Sequence, residues 1–114
     1  MHELSIVASL FEILEDRARE EKAKRIVLVK LSTGRLSGVV PEFLETAFDL
    51  YKKDTIAEHA SLEIEVVPVR VRCRDCQAEA ETDDYVFVCS ACGSAHIEIV
   101  AGTDLLLDKI ELEV

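Results

Sequence analysis

The chain has 114 residues, 49% of them apolar, which suffices for one ordinary domain with its own core and excludes a second large one. Thirteen Lys and Arg against 23 Asp and Glu leave a formal charge of −10. That charge repels nucleic-acid phosphates and anionic lipid, and with 5% aromatic residues and no Trp there are few platforms on which bases could stack, so neither nucleic acid nor a membrane is expected as a partner.

From Leu4 to about Glu21, apolar residues at Ile6, Val7, Leu10, Phe11, Ile13, Leu14 and Ala18 form a stripe of helical period, which predicts an amphipathic helix. Glu3, Glu12, Glu15 and Asp16 interrupt any apolar run long enough for an export signal or a membrane span, so a cytoplasmic protein is expected. Arg25 to Leu31 is short and β-branched, and it predicts a mostly buried strand closed by a turn at Thr33-Gly34. Pro41 suits the first position of a second helix, with Phe43, Leu44, Ala47, Phe48 and Tyr51 on its apolar face.

Leu62 to Val66 and Val69 to Cys73 both alternate apolar with charged residues, which reads as one half-exposed strand interrupted at Pro68. His59, ahead of it, reads as a surface histidine. Beyond the cysteines, Ile97 to Val100 and Leu105 to Val114 read as extended. The expected fold is α+β: two helices on a small mixed or antiparallel sheet, with a zinc-ribbon-like module inserted between two strands able to pair with each other. The expected domains are 1–69 plus 99–114, and 70–98 for the metal module.

Cys73-Arg-Asp-Cys76 and Cys89-Ser-Ala-Cys92 are two Cys-x-x-Cys pairs separated by twelve residues, enough for a hairpin that brings four thiolates together. Four sulfur ligands leave no open coordination position, so a structural Zn²⁺ is expected, with a rubredoxin-like iron site as the alternative for the same spacing. Gly93 supplies backbone freedom after the second pair, where the first pair has Gln77. Arg70, Arg72 and Arg74 either soften the thiolate charge or form a solvated strand face. His96, four residues past Cys92, suggests a hydrogen bond to the site.

The chain begins Met1-His2-Glu3. A bulky second residue should block excision of the initiator methionine, so the free amine is expected on Met1. An α-amine, backbone amide nitrogens and an adjacent imidazole can form the flat nitrogen set that suits Ni(II) and Cu(II).

Met1-His2-Glu3-Leu4-Ser5, Gly34-Arg-Leu-Ser-Gly38, Pro41-Glu42, Ala47-Phe48, the paired Cys-x-x-Cys and Ala101-Gly102 together resemble the HypA/HybF hydrogenase maturation factors, essentially end to end. The resemblance implies a nickel metallochaperone, not an enzyme. It implies Ni²⁺ as transferred cargo, held by His2 with the Met1 amine and the backbone nitrogens of His2 and Glu3. It also implies Zn²⁺ on Cys73, Cys76, Cys89 and Cys92. The implied partners are a HypB-type GTPase and the large subunit of [NiFe]-hydrogenase, in some organisms urease as well, with the chain a monomer or homodimer. The contrasting reading is a zinc-ribbon interaction or regulatory module that delivers no nickel.

Overall fold

The computed structural model describes residues 3–82 and 87–114. The order of elements is α1 (Glu3–Glu20), β1 (Arg25–Gly34), α2 (Pro41–Tyr51), β2 (Ser61–Val67), β3 (Val69–Cys73), β4 (Glu79–Thr82), β5 (Ile97–Ala101) and β6 (Leu105–Glu113). These form two three-stranded sheets, ordered β2-β1-β6 and β4-β3-β5. The molecule measures 55 × 25 × 17 Å with a radius of gyration of 17.8 Å. A compact chain of this length would have about 13 Å, so the two sheets lie side by side and not around one centre.

The first sheet is mixed, since β1 pairs parallel with β2 and antiparallel with β6. A parallel neighbour requires a crossover, and α2 provides it. Both helices cover the same face of this sheet. Val7, Leu10, Phe11 and Leu14 of α1 and Leu44, Ala47 and Phe48 of α2 close over Ile26, Val29 and Leu31 of β1. Phe11 is the hinge of that packing, its ring centroid 5.4 Å from Phe48 and 5.0 Å from Tyr51. α1 ends without a glycine: Lys22 takes a left-handed φ of 53°, and the Ala23 amide returns to the Ala18 carbonyl at 2.9 Å, closing the last turn.

Several expectations are corrected. Ile13 and Phe43 lie on the predicted apolar stripes yet are 48% and 61% exposed, and neither joins the buried core between the helices and the sheet. β1 continues through Thr33 and Gly34, whose partners on β2 are Val66 and Val67. The two alternating runs about Pro68 are two strands in different sheets, because a proline cannot donate to a ladder and the chain leaves one sheet for the other there. The strands that lead into the first cysteine and out of the last, β3 and β5, do pair, antiparallel, while β2 and β6 both border β1. β4, Glu-Ala-Glu-Thr, carries no strand signal of its own and is extended because it pairs with β3.

Where the sheets meet, three backbone segments cross. The amide of Arg35 donates to the Val67 carbonyl at 3.0 Å, Leu36 to Gly102 at 2.8 Å and Gly34 to Asp104 at 2.7 Å. The loop after β1 thus straps both crossovers. A Cβ on Gly34 would stand 2.2 Å from the Gly102 carbonyl, and one on Gly102 would stand 2.8 Å from the Pro68 carbonyl oxygen. Close passage of three backbones explains glycine at both places.

Candidate metal centre

In the second sheet β3 is central and antiparallel to both neighbours. Val69, Val71 and Cys73 alternate inward, so the sheet's inner face runs directly into the first cysteine. The chain then turns tightly twice, in the same way each time. At the first turn the Gln77 amide donates to the Cys73 carbonyl (2.9 Å) and the Cys73 amide to Ala78 (2.8 Å). At the second, Gly93 donates to Cys89 and Cys89 to Ser94, both at 2.8 Å. The residue after each pair is left-handed, Gln77 at φ 66° and Gly93 at φ 75°. Glycine meets that demand without cost; at the first turn glutamine meets it with its side-chain amide on the Arg74 carbonyl (3.2 Å).

The two turns face each other and bring all four sulfurs within 4.8 Å of one another. Cys73 and Cys92 are 3.6 Å apart and Cys76 and Cys89 3.5 Å. Disulfide sulfurs would be separated by about 2.05 Å, so these are free thiols. A tetrahedral ion with metal–sulfur bonds of about 2.3 Å requires sulfur separations of ~3.8 Å, and the cluster fits that figure. Cys73 and Cys89 are buried and Cys76 and Cys92 exposed, so one edge of the site faces solvent.

Backbone amides prepare the buried pair for metal. The Cys92 amide, then that of Ala91, points at the Cys89 sulfur and holds its pKa down at about 6. The Cys76 amide does the same for Cys73, whose pKa is also lowered. At Cys92 the Ser94 amide acts in that direction too, but the crowding sulfurs of Cys73 and Cys89 outweigh it and push the thiol up to about 12. Cys76 is likewise raised, the Cys89 sulfur and burial outweighing the Ala78 amide. The amides thus make Cys73 and Cys89 ionise more readily than Cys76 and Cys92, whose protons a cation would displace on binding.

His96 is exposed and outside the four-sulfur group; its Nδ1 lies 3.1 Å from Asp75 Oδ2. Ser94 donates its hydroxyl to the same carboxylate and accepts the His96 amide at 3.0 Å. Asp75, between the first two cysteines, and Ser94, after the last, escaped notice because neither is a usual thiolate-site ligand. Their positions, Asp75 within the first motif and Ser94 two residues past the second, are the signal that could have found them. The arginines pair with carboxylates, Arg70 with Glu79 at 3.4 Å and Arg72 and Arg74 with Glu98 at 3.6 and 3.7 Å. His59 is exposed, as expected. Of the N-terminal residues, Glu3 opens α1, while Met1 and His2 lie outside the described residues.

An α+β body carrying a four-cysteine, metal-binding module defines the class of protein. A family model described as "Hydrogenase/urease nickel incorporation, metallochaperone, hypA" matches residues 1–112. The chain is 45% identical over 114 residues to the hydrogenase maturation factor HypA of Aquifex aeolicus, covering 100% of this chain and 99% of the relative. It is 45% identical over 113 residues to that of Moorella thermoacetica, covering 99% and 100%. The fold resembles the solution structure of the Ni metallochaperone HypA from Helicobacter pylori, with a TM-score of 0.69 and 27% identity over 99% of this chain and 98% of that one. The chain belongs to the HypA family of nickel-incorporation metallochaperones and hydrogenase maturation factors, which are not enzymes.

Proposed function

We propose that this chain binds Ni(II) at its N-terminus and delivers it for the maturation of [NiFe]-hydrogenase, with Zn²⁺ as a structural ion on Cys73, Cys76, Cys89 and Cys92. The family match through the first residue, on a chain beginning Met1-His2-Glu3, carries the nickel assignment. The His2 imidazole, the Met1 amine and the backbone nitrogens of His2 and Glu3 make up a planar set of the kind Ni(II) prefers. Glu3, acidic in the first turn of α1, also favours the positive end of that helix. The proposed domains are 1–69 with 99–114 for nickel and 70–98 for zinc, although by strand pairing Val69 and residues 99–101 complete the second sheet.

The zinc assignment rests on a donor set of four soft ligands at tetrahedral separations with no position left for water. Zn²⁺ there supplies a cross-link and no chemistry. Cargo release follows from the nickel ligands: an amine of pKa ~7.7–8 and an imidazole of ~6.5 compete with protons, so acidification frees the metal. Because Cu(II) binds such a set at least as tightly, selectivity comes from metal supply and partner recognition. The partners are a HypB-type GTPase, the hydrogenase large subunit and, in a second role, urease. The chain acts in the cytoplasm as a monomer or homodimer, and no helix among the described residues is long and apolar enough to cross a membrane.

Calorimetric titration of nickel into the untagged protein, beside His2→Ala and a variant with one residue added before Met1, tests this reading. One nickel per chain in the wild type and none in either variant is the expected result. Equal binding by all three places the nickel elsewhere and leaves a zinc module without delivery.

A further inference from the structure

The two cysteine turns are held together at their base by the β3–β5 ladder, whose last pair is Cys73 with Ile97. One backbone bond continues it, from the Arg74 amide to the His96 carbonyl at 2.9 Å. Beyond that, toward the solvent edge where Cys76 and Cys92 are exposed, the connection passes to side chains. Asp75 of the first turn accepts the Ser94 hydroxyl and faces the His96 ring, while Ser94 receives the His96 amide. Two residues that follow the second turn, Ser94 and His96, thus converge on the one carboxylate of the first turn.

An incoming ligand that removes a metal from four thiolates does so one bond at a time, and it enters where the cluster meets water. Each sulfur pair in close contact, Cys73 with Cys92 and Cys76 with Cys89, joins one turn to the other. Freeing a sulfur at the open edge therefore means parting the turns there, and parting them breaks the contacts of Asp75. We infer that Asp75, with Ser94 and His96, is a latch across the solvent edge of the four-cysteine site that slows metal exchange without contributing a ligand. Asp75 is thus a positioning residue. This inference rests on the reading that the four cysteines hold a single tetrahedral ion.

The test is the rate at which the protein, loaded with Zn²⁺ or Co²⁺, yields its metal to an excess of a chromophoric chelator. Asp75→Ala and Ser94→Ala are expected to release metal about three- to tenfold faster than the wild type, as loss of one or two side-chain hydrogen bonds at an exposed site implies. Asp75→Asn, which keeps an oxygen for the Ser94 hydroxyl, is expected to fall closer to the wild type. The Co²⁺ ligand-field spectrum, which reports four sulfur ligands, should be the same in every variant. Wild-type release rates in both alanine variants overturn the latch, as does faster release accompanied by a changed Co²⁺ spectrum, which would make Asp75 a general support of the fold. Failure of the wild type to bind one metal per chain overturns the site reading itself and is seen before any variant is compared.

Discussion

The crossing of three backbones between the sheets makes separable predictions for three glycines. Gly38 has a φ of 80°, and a Cβ there would meet nothing within 4 Å, so Gly38→Ala exposes only the left-handed backbone cost, about 1 kcal/mol. Gly34 has no positive φ, but its Cβ would stand 2.2 Å from the carbonyl carbon and oxygen of Gly102, so Gly34→Ala exposes only the clash, about 1–3 kcal/mol, less about 0.4–1 kcal/mol recovered from a stiffer unfolded chain. Gly102 combines a φ of 100° with contacts of 2.8 Å to the Pro68 oxygen and the Val69 Cα, so Gly102→Ala carries both terms, about 2–4 kcal/mol. The neighbours cannot yield cheaply, because Leu36 is bonded to Gly102 and Val69 begins β3. Urea unfolding of the metal-loaded proteins, followed by far-UV circular dichroism, gives the three losses from shifts in midpoint at constant slope. The expected order places Gly102→Ala as the most damaging. Equal losses in all three, or the largest loss at Gly38, would refute the close crossing.

Other parts of the molecule make further predictions. Phe48 is fully buried against Phe11, so Phe48→Ala should cost about 3–5 kcal/mol by the same unfolding assay, whereas Phe43→Ala, at a position 61% exposed, should stay within about 0.5 kcal/mol. Thiolate absorbance at the ultraviolet edge should show the reduced, metal-free protein ionising its first cysteine near pH 6, well below an ordinary thiol, and Cys89→Ser should abolish that step while Cys92→Ser leaves it. Lowering the pH through that step protonates Cys89, so metal uptake should weaken on the acid side and not the basic. Gly93→Ala should weaken metal binding about fivefold by forcing a Cβ into φ 75°, and Gln77→Gly should leave binding equal or tighter; competition with a chelator of known affinity reads both.

Much of this was legible in residue order alone. The period of Val7, Leu10, Phe11 and Leu14 sufficed for α1, Pro41 for the start of α2, and the spacing of Cys73, Cys76, Cys89 and Cys92 for a common site, because each depends on contacts a few residues away or on ligand chemistry. What escaped depends on distant partners. Pro68 marks an interruption, but only the competing ladders show that the chain changes sheets there. Glu79–Thr82 is a strand because β3 lies beside it, and Phe43 is exposed because no third layer covers α2. The left-handed Gln77 was visible in hindsight, since it occupies after Cys76 the place that Gly93 occupies after Cys92.

The placement of β1 between β2 and β6 has a consequence for the order in which the molecule can assemble. β2 follows β1 after one helix, but β6 reaches it only across residues 68–104, the whole of the second sheet. The first core therefore stays open along one edge until that long excursion has brought its two ends together. A metal ion that ties Cys73 and Cys76 to Cys89 and Cys92 would fold about half of the excursion away, and each halving of the effective loop lowers the closure cost by about 0.6 kcal/mol. That single halving, about 0.6 kcal/mol, would speed closure about threefold. Such an ion would act as a clasp, and without it the chain would keep an unpaired strand edge on β1 for longer, the kind of edge that invites aggregation.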